Sequence, residues 1–133
     1  MRDPKNVFHL AIPCRNLDEA HEFYVGKLGV KLARRYPDRI TLDFFGDQVV
    51  CHLSPDKIDP KPKLYPRHFG VTFRDKAEFD RLLANVRAKG MELFQDLSVR
   101  FPGLREEHAT FFLKDPSNNV LEFKYYHDPA MMY

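Results

Sequence analysis

The feature that most constrains the fold is an internal repeat. One order of predicted elements, a strand, a helix and then three strands, occurs twice along the 133 residues. The two copies also begin alike, because Phe8-His9-Leu10-Ala11 corresponds to Arg67-His68-Phe69-Gly70 at a spacing of 59 residues. Self-similarity of this kind indicates a duplicated structural unit. The pattern therefore predicts an α+β fold of two tandem βαβββ modules that form a cupped, mostly antiparallel sheet.

The first module covers about residues 6–54. Its first predicted strand, 7–13, is followed by a helix with Asn16 as N-cap and Glu19 as the capping-box partner. That helix ends near Gly29, since glycine is favoured just after a helix C-terminus. Short apolar runs separated by turn residues then predict three strands, at 30–36, 39–45 and 48–54.

The second module covers about residues 67–126 and repeats this order. Between the modules, residues 55–66 contain four prolines, which indicates a linker. Apolar residues at helical spacing predict a helix at 75–89. The remaining predicted elements are strands at 68–73, 91–101 (with a loop after it), 108–113 and 120–126, followed by a tail at 127–133.

Composition limits the class of protein. Hydrophobic residues make up 44% and charged residues 30%, an ordinary balance for a globular domain. The net charge of +2 is too small to indicate a nucleic-acid or membrane partner. The sequence has neither an N-terminal apolar signal region nor an apolar run of the roughly 20 residues that span a bilayer. We therefore expect one cytoplasmic domain, 1–133.

Four polar residues lie within otherwise apolar strands. Because alternate side chains of a strand share a face, His9 points away from the apolar face of the first strand, and His68, Glu122 and His52 are placed in the same way in theirs. One histidine in a strand is usually only hydrogen-bonded. Two histidines at equivalent places in two modules, with a carboxylate, match instead the facial triad of non-haem Fe(II) sites. The pattern predicts a divalent metal held by His9, His68 and Glu122.

Several motifs then identify a family. They are Phe8-His9-Leu10-Ala11, Asn16-Leu17-Asp18-Glu19-Ala20, His68-Phe69-Gly70-Val71, and Asp115-Pro116-Ser117-Asn118-Asn119 ahead of Leu121-Glu122-Phe123. With them the chain resembles the vicinal oxygen chelate superfamily, which includes glyoxalase I, fosfomycin-resistance proteins and extradiol dioxygenases. Two further segments resemble a branch described as predicted extradiol dioxygenases, namely Asp43-Phe44-Phe45-Gly46 and Val50-Cys51-His52-Leu53.

The resemblance implies roles for individual residues. His9, His68 and Glu122 match the iron ligands of extradiol dioxygenases, so Fe(II) is the preferred metal, with Mn, Ni or Zn as alternatives. The substrate would be a small catechol-like molecule with two adjacent oxygens, and O₂ the co-substrate. His52 falls where these enzymes carry an acid–base histidine, whereas glyoxalase I has a metal-binding glutamate there. Small members of the superfamily typically form homodimers, and the sites of this chain would lie within one chain or across two.

Two other functions remain open at this point. One is a glyoxalase-like or fosfomycin-resistance-like lyase, isomerase or transferase, in which the metal is a Lewis acid and His52 a fourth ligand. The other is a non-enzymatic module that sequesters a ligand, as bleomycin-binding proteins do. Such a module has no need of three metal ligands, so the sequence argues against it.

A second group of residues is predicted to line the substrate pocket. His108, Thr110 and Phe112 share one face of the seventh strand, although His108 is alternatively a solvated strand end. Arg100, with Arg105, is placed to bind an anionic substrate or else is surface charge. Ring-cleavage enzymes usually have a tyrosine ten residues before the ligand glutamate, and Phe112 occupies that position here.

Overall fold

The computed structural model describes residues 3–133, which divide into two compact units. Unit 1 is the chain up to Pro60 together with Pro116–Asn119, and unit 2 is Lys61–Asp115 with Val120–Tyr133. Among the described residues, no helix has both the length and the apolar character needed to cross a membrane.

Unit 1 contains one sheet of four strands. They are β1 (His9–Cys14), β2 (Lys31–Tyr36), β3 (Arg39–Phe44) and β4 (Asp47–Leu53). Their order in the sheet is β1-β4-β3-β2, with β1 parallel to β4 and the other pairs antiparallel. The helix α1 (Leu17–His21) continues as a π-helix over Glu22–Lys27, and a 3₁₀ turn at Pro55–Lys57 follows the last strand.

The start of α1 follows from its capping residue. The Asn16 side chain accepts hydrogen bonds from the backbone N–H groups of Asp18 and Glu19, which confirms the predicted N-cap. The Glu19 carboxylate binds the guanidinium of Arg15, with 2.7 Å to Nε. This charge-assisted pair replaces the capping-box role predicted for Glu19 and lowers the pKa of its carboxyl.

One face of the unit 1 sheet is apolar and carries the helix. Tyr24 is fully buried, and its ring contacts that of Phe44 at the end of β3. The other buried side chains of this core include Ile12, Cys14, Leu17, Ala20, Ile40, Leu42, Val49 and Cys51. Because side chains alternate along β1, His9 lies on the opposite face.

Unit 2 repeats the arrangement of unit 1. Its elements are β5 (Phe69–Phe73), α2 (Lys76–Ala88), β6 (Leu93–Arg100), β7 (His108–Lys114) and β8 (Val120–Tyr126), with a 3₁₀ turn at Pro129–Met132. The sheet order is β5-β8-β7-β6, again with only the outer pair β5 and β8 parallel. The α+β fold of two tandem βαβββ modules with mostly antiparallel sheets is therefore confirmed.

Helix α2 covers one face of the unit 2 sheet. Its N-cap is Asp75, whose carboxylate accepts from the N–H of Ala77. The buried side of the helix brings Phe79 against the strand residues Phe73 and Phe111, with ring centroids 6.2 and 5.4 Å away. The opposite face carries Phe112 together with polar and small side chains, which include Gly70, Thr72, His108, Thr110, Glu122 and Lys124.

Candidate functional site

Unit 2 brings two of the predicted ligands together. Glu122 lies in the middle of β8 and is 7% exposed, between core residues Leu121 and Phe123. Its Oε2 atom is 3.1 Å from Nε2 of His68, which immediately precedes β5. The parallel pairing of β5 and β8 thus joins an imidazole and a carboxylate that are 54 positions apart in the sequence.

The hydrogen bonding of His68 defines its tautomer. Nδ1 lies 2.7 Å from the backbone carbonyl oxygen of Leu64. Since a carbonyl oxygen only accepts, Nδ1 carries the hydrogen, and in the neutral ring Nε2 presents a lone pair to the Glu122 carboxylate. Two acceptors face each other in this way only with a proton or a cation between them. Metal-binding histidines typically donate their other ring N–H to such a carbonyl.

The Glu122 carboxylate is also held by a residue of the neighbouring strand β7 and by one of its own strand. Thr110 on β7 donates from its hydroxyl to Oε1 over 2.8 Å, and both side chains are buried. Nζ of Lys124 lies 3.7 Å from Oε2. The contact with Thr110 orients the carboxylate so that its second oxygen faces His68.

Close packing of β5 on β8 depends on Gly70. This residue is opposite Glu122 in the parallel pair. A Cβ atom at Gly70 would collide with the backbone carbonyl oxygen of Glu122. Only glycine allows this approach, so it helps to position both candidate ligands.

The other predicted ligand, His9, belongs to unit 1. It begins β1 and pairs with Gln48 of β4, whose Oε1 lies 2.6 Å from Nδ1 of His9. Because an amide oxygen accepts, Nδ1 donates and Nε2 is again the nitrogen with a lone pair. His9 and His68 therefore have the same tautomer, each set by a carbonyl-type acceptor.

Within residues 3–133, no three His, Cys, Asp or Glu side chains form a group able to hold a metal. In unit 2 the structure joins His68 with Glu122. Imidazole nitrogen and carboxylate oxygen are nonetheless donors that suit Fe, Mn, Ni and Zn. The pair in unit 2 therefore fits part of a divalent metal site.

His52 lies in β4, opposite Pro13 and Arg39, and is exposed. The modules can be compared through the register of their parallel strand pairs, β1 with β4 and β5 with β8. Ala11 is opposite Val50 in unit 1, as Gly70 is opposite Glu122 in unit 2. Val50, rather than His52, thus occupies the position equivalent to Glu122, and it has no metal-binding atom.

The solvated alternative for His108 is wrong. Its side chain is buried, with Nδ1 2.9 Å from the carbonyl oxygen of Glu106. The ring packs at 4.6 Å from that of Tyr126. Burial follows from the register, because His108 is paired with Arg100 on one side and Tyr126 on the other.

Arg100 is linked to His68 through Tyr65 of the proline-rich segment, whereas Phe112 contacts His68 directly. Phe112 is fully buried, and its ring centroid is 5.7 Å from that of His68. The Tyr65 ring lies 5.5 Å from His68 and 6.3 Å from Phe112. Nη1 of Arg100 donates to the Tyr65 hydroxyl oxygen over 2.9 Å. Thr110, Phe112 and Arg100 therefore all lie around the His68–Glu122 pair or one contact from it.

Arg105 is engaged elsewhere. Its guanidinium lies 3.0 Å from the carboxylate of Asp128, and its side chain is 74% exposed. The backbone N–H of Ala130 and the Arg105 guanidinium together hold the pKa of Asp128 below its usual value. Arg105 therefore forms a surface ion pair, whereas Arg100 contacts Tyr65 beside His68.

Gln48, the Leu64 carbonyl, Tyr65 and Lys124 had not been predicted as parts of the site. Gln48 and Lys124 had a detectable signal, since each shares a strand face with a candidate ligand or lies directly opposite one. Leu64 and Tyr65 lie in the proline-rich segment, where no periodicity indicates which atoms approach His68.

Comparison with known proteins gives a consistent result. A sequence model of the glyoxalase/bleomycin resistance protein/dioxygenase superfamily matches residues 6–123. A protein from Alicyclobacillus acidocaldarius, described as a glyoxalase/bleomycin resistance protein/dioxygenase, is 68% identical over 100% of both chains, with a TM-score of 0.96.

Two more distant structures share the fold. Lactoylglutathione lyase from Agrobacterium tumefaciens is 17% identical, with a TM-score of 0.68 over 93% of this chain and 96% of that one. The fosfomycin resistance protein FosX from Listeria monocytogenes is 13% identical, with a TM-score of 0.70 over 96% of this chain and 98% of that one.

Proposed function

Because the chain belongs to the glyoxalase/bleomycin resistance protein/dioxygenase superfamily, whose members typically bind divalent metals, we propose that it is a metal-dependent enzyme acting on a small molecule. The proposed metal ligands are His9, His68 and Glu122. The observation that carries the proposal is the contact between Nε2 of His68 and Oε2 of Glu122, two acceptors at 3.1 Å with a backbone carbonyl bound to the other ring nitrogen.

The proposed reaction is an extradiol-type dioxygenation that uses Fe(II). Two histidines and one carboxylate form a facial set that leaves positions open on the metal. Iron(II) would supply redox chemistry between O₂ and a substrate with two adjacent oxygens. Val50 supports a set of three protein ligands, because it places an apolar side chain at the position equivalent to Glu122.

In this proposal, protein side chains hold the ligands and transfer protons. Thr110 fixes one oxygen of Glu122, and Gln48 fixes the ring of His9. His52 is the proposed acid–base residue, since an imidazole ring can both accept and donate a proton. Its exposure on β4 leaves the ring free to reach a bound molecule.

A lyase, isomerase or transferase is the alternative, in which the metal is a Lewis acid. The fold likeness to lactoylglutathione lyase and FosX favours it, and fosfomycin-resistance proteins use the same types of ligand. The two proposals differ in their dependence on oxygen and in the metal they prefer.

One experiment distinguishes the two reactions. The protein is purified without oxygen, its bound metals are measured by mass spectrometry, and catechols are screened for O₂ uptake in an oxygen electrode. The dioxygenase proposal requires O₂ consumption that depends on Fe(II). Turnover of a substrate with adjacent oxygens in the absence of O₂, supported by Mn, Ni or Zn, would favour the alternative.

We also propose that the protein is a symmetric homodimer. β1 and β5 each lie at one edge of their sheet, and an edge strand is a place where another chain can pair. Val7 and Phe8, next to β1, are 58% and 57% exposed, and such apolar residues favour a protein interface. Light scattering at micromolar concentration tests this, and a stable monomer with full metal content would contradict it.

A further inference from the structure

One hydrogen bond on unit 2 joins two groups suited to binding an anion. Nη1 of Arg100, at the end of β6, donates to the hydroxyl oxygen of Tyr65 over 2.9 Å. A guanidinium has no acceptor atom, so the phenol oxygen is the acceptor in this bond. The Tyr65 hydroxyl hydrogen is then directed towards some other acceptor, and the guanidinium has further N–H groups to offer.

The Tyr65–Arg100 pair lies next to the proposed metal ligands. The Tyr65 ring packs edge-on to His68, with centroids 5.5 Å apart, and also contacts Phe112. Tyr65 is 51% exposed, so a small molecule can approach this residue from solvent. Because Phe112 has no polar atom, Tyr65 supplies a phenol donor beside His68 that Phe112 cannot provide.

A second cation, Lys124, shares a strand face with Glu122, but its Nζ lies 3.7 Å from Oε2 of that carboxylate, which offsets its charge. The charge that would attract an anion is therefore that of Arg100. The Arg100 guanidinium is also placed by the ring of Phe101, 5.4 Å from its centroid, which orients it without neutralising its charge.

We propose that Tyr65 and Arg100 form a subsite for an anionic oxygen of the substrate. The inference rests on the proposed function, since it assigns a substrate class to the same site. That class is a small molecule with two adjacent oxygens and, in addition, a carboxylate or phosphonate substituent. Arg100 contributes the charge, and the Tyr65 hydroxyl contributes a directed hydrogen bond.

The subsite is tested by anion binding to the purified protein, measured by calorimetry with benzoate, phenylphosphonate and the neutral phenol. Arg100→Gln should weaken binding of the preferred anion about tenfold, the loss expected for a charge-assisted hydrogen bond. Tyr65→Phe, which keeps the ring against His68, should weaken it several-fold. Both variants should bind the neutral phenol about as tightly as wild type does. The anion that binds more tightly identifies the substituent.

A matched pair elsewhere supplies the control. Nη2 of Arg74 donates to the hydroxyl of Tyr133 over the same 2.9 Å, and Tyr133 is 94% exposed. Tyr133→Phe removes the same kind of bond and should leave anion binding unchanged. The inference fails if wild-type protein binds neither anion at millimolar concentration, or if Arg100→Gln and Tyr65→Phe bind both anions as wild type does.

The failure of this inference is distinguishable from failure of the proposed function. Neither Tyr65 nor Arg100 is a proposed metal ligand, so bound metal, measured on the same samples, should be equal in all variants. Unchanged anion binding with normal metal content rejects only the subsite. If the His68 and Glu122 variants instead keep their metal, the proposed metal ligands are wrong, and the anion-binding result is still valid.

Discussion

The hydroxyl of Thr110 donates a 2.8 Å hydrogen bond to Oε1 of Glu122, and both side chains are buried on neighbouring strands. Removing an outer partner of a metal-binding carboxylate typically lowers metal affinity 10–100-fold. We therefore predict that Thr110→Val, which keeps the shape of the side chain, weakens divalent metal binding at least about tenfold. Titration against a competing chelator measures the affinity.

Thr72 offers the control for this substitution. It lies on β5 opposite Lys124, two residues after Gly70 and on the same face of the sheet. Thr72→Val should leave the metal affinity close to that of wild type. Equal affinities for the Thr110 and Thr72 variants would contradict the role given to the Thr110 hydroxyl.

The ligands themselves give a second prediction. His68→Ala or Glu122→Ala should remove most bound divalent metal without unfolding the chain, because each deletes one of the three proposed ligands from a site held by strands. Metal content by mass spectrometry and folding by circular dichroism are measured together. Full metal occupancy in both variants would show the ligand assignment to be wrong.

His127 is a matched control for His68. Its Nδ1 lies 3.6 Å from Oε2 of Glu107, so it also belongs to a histidine–glutamate pair of unit 2. The side chain is 50% exposed, which suits a surface ion pair. His127→Ala should therefore retain the metal content of wild type.

Much of the fold was predictable because two periodicities are clear in the sequence. The strand β8 has the predicted bounds, and the Asn16 side chain caps α1 as expected. The strand β6 was predicted at 91–101 but spans Leu93–Arg100, and its pairing with β7 shifts register twice. Such bulges insert residues without changing the hydrophobic pattern enough to be recognised.

The site was only partly predictable for a related reason. The alternation of side chains along the strand indicated that Glu122 lies on the face opposite the helix-covered core. The internal repeat indicated that His9 and His68 occupy equivalent positions. Strand register, which the sequence does not give reliably, decides that Val50 rather than His52 matches Glu122. The approach of Tyr65 to His68 depends on the path of an irregular segment, for which no periodic signal exists.

Gly70 provides a third prediction, which concerns packing. Gly70→Ala adds a methyl group that meets the Glu122 carbonyl, so β5 must move away from β8. We expect a loss of stability of about 1–3 kcal/mol, typical of overpacking, together with weaker metal binding. Chemical denaturation and chelator titration measure the two effects.

The equivalent position in unit 1 is occupied by Ala11, opposite Val50. Ala11→Gly should cost only about 0.5–1 kcal/mol, the usual effect of glycine within a strand, and should leave metal binding unchanged. If Gly70→Ala is as mild as this control, the close approach of β5 to β8 does not depend on glycine.

A fourth prediction separates the two roles considered for His52. As an acid–base residue, His52→Ala should retain metal but lose turnover about a hundredfold or more. As a fourth ligand, its removal should deplete the metal as well. His21→Ala, at the end of α1 and outside the proposed site, is a control that should alter neither quantity. A metal-depleted His52→Ala protein would reject the acid–base assignment.

The last prediction concerns which chain supplies His9. Unit 2 contributes His68 and Glu122, whereas His9 belongs to unit 1. Neither a His9→Ala chain nor a Glu122→Ala chain should bind metal well alone. If ligands are shared across a dimer, unfolding and refolding the two variants together produces mixed dimers with one intact site, and metal binding recovers to about a quarter of wild type for random pairing of equal amounts. If each chain builds its own site, every chain in the mixture lacks a ligand and no metal binding returns.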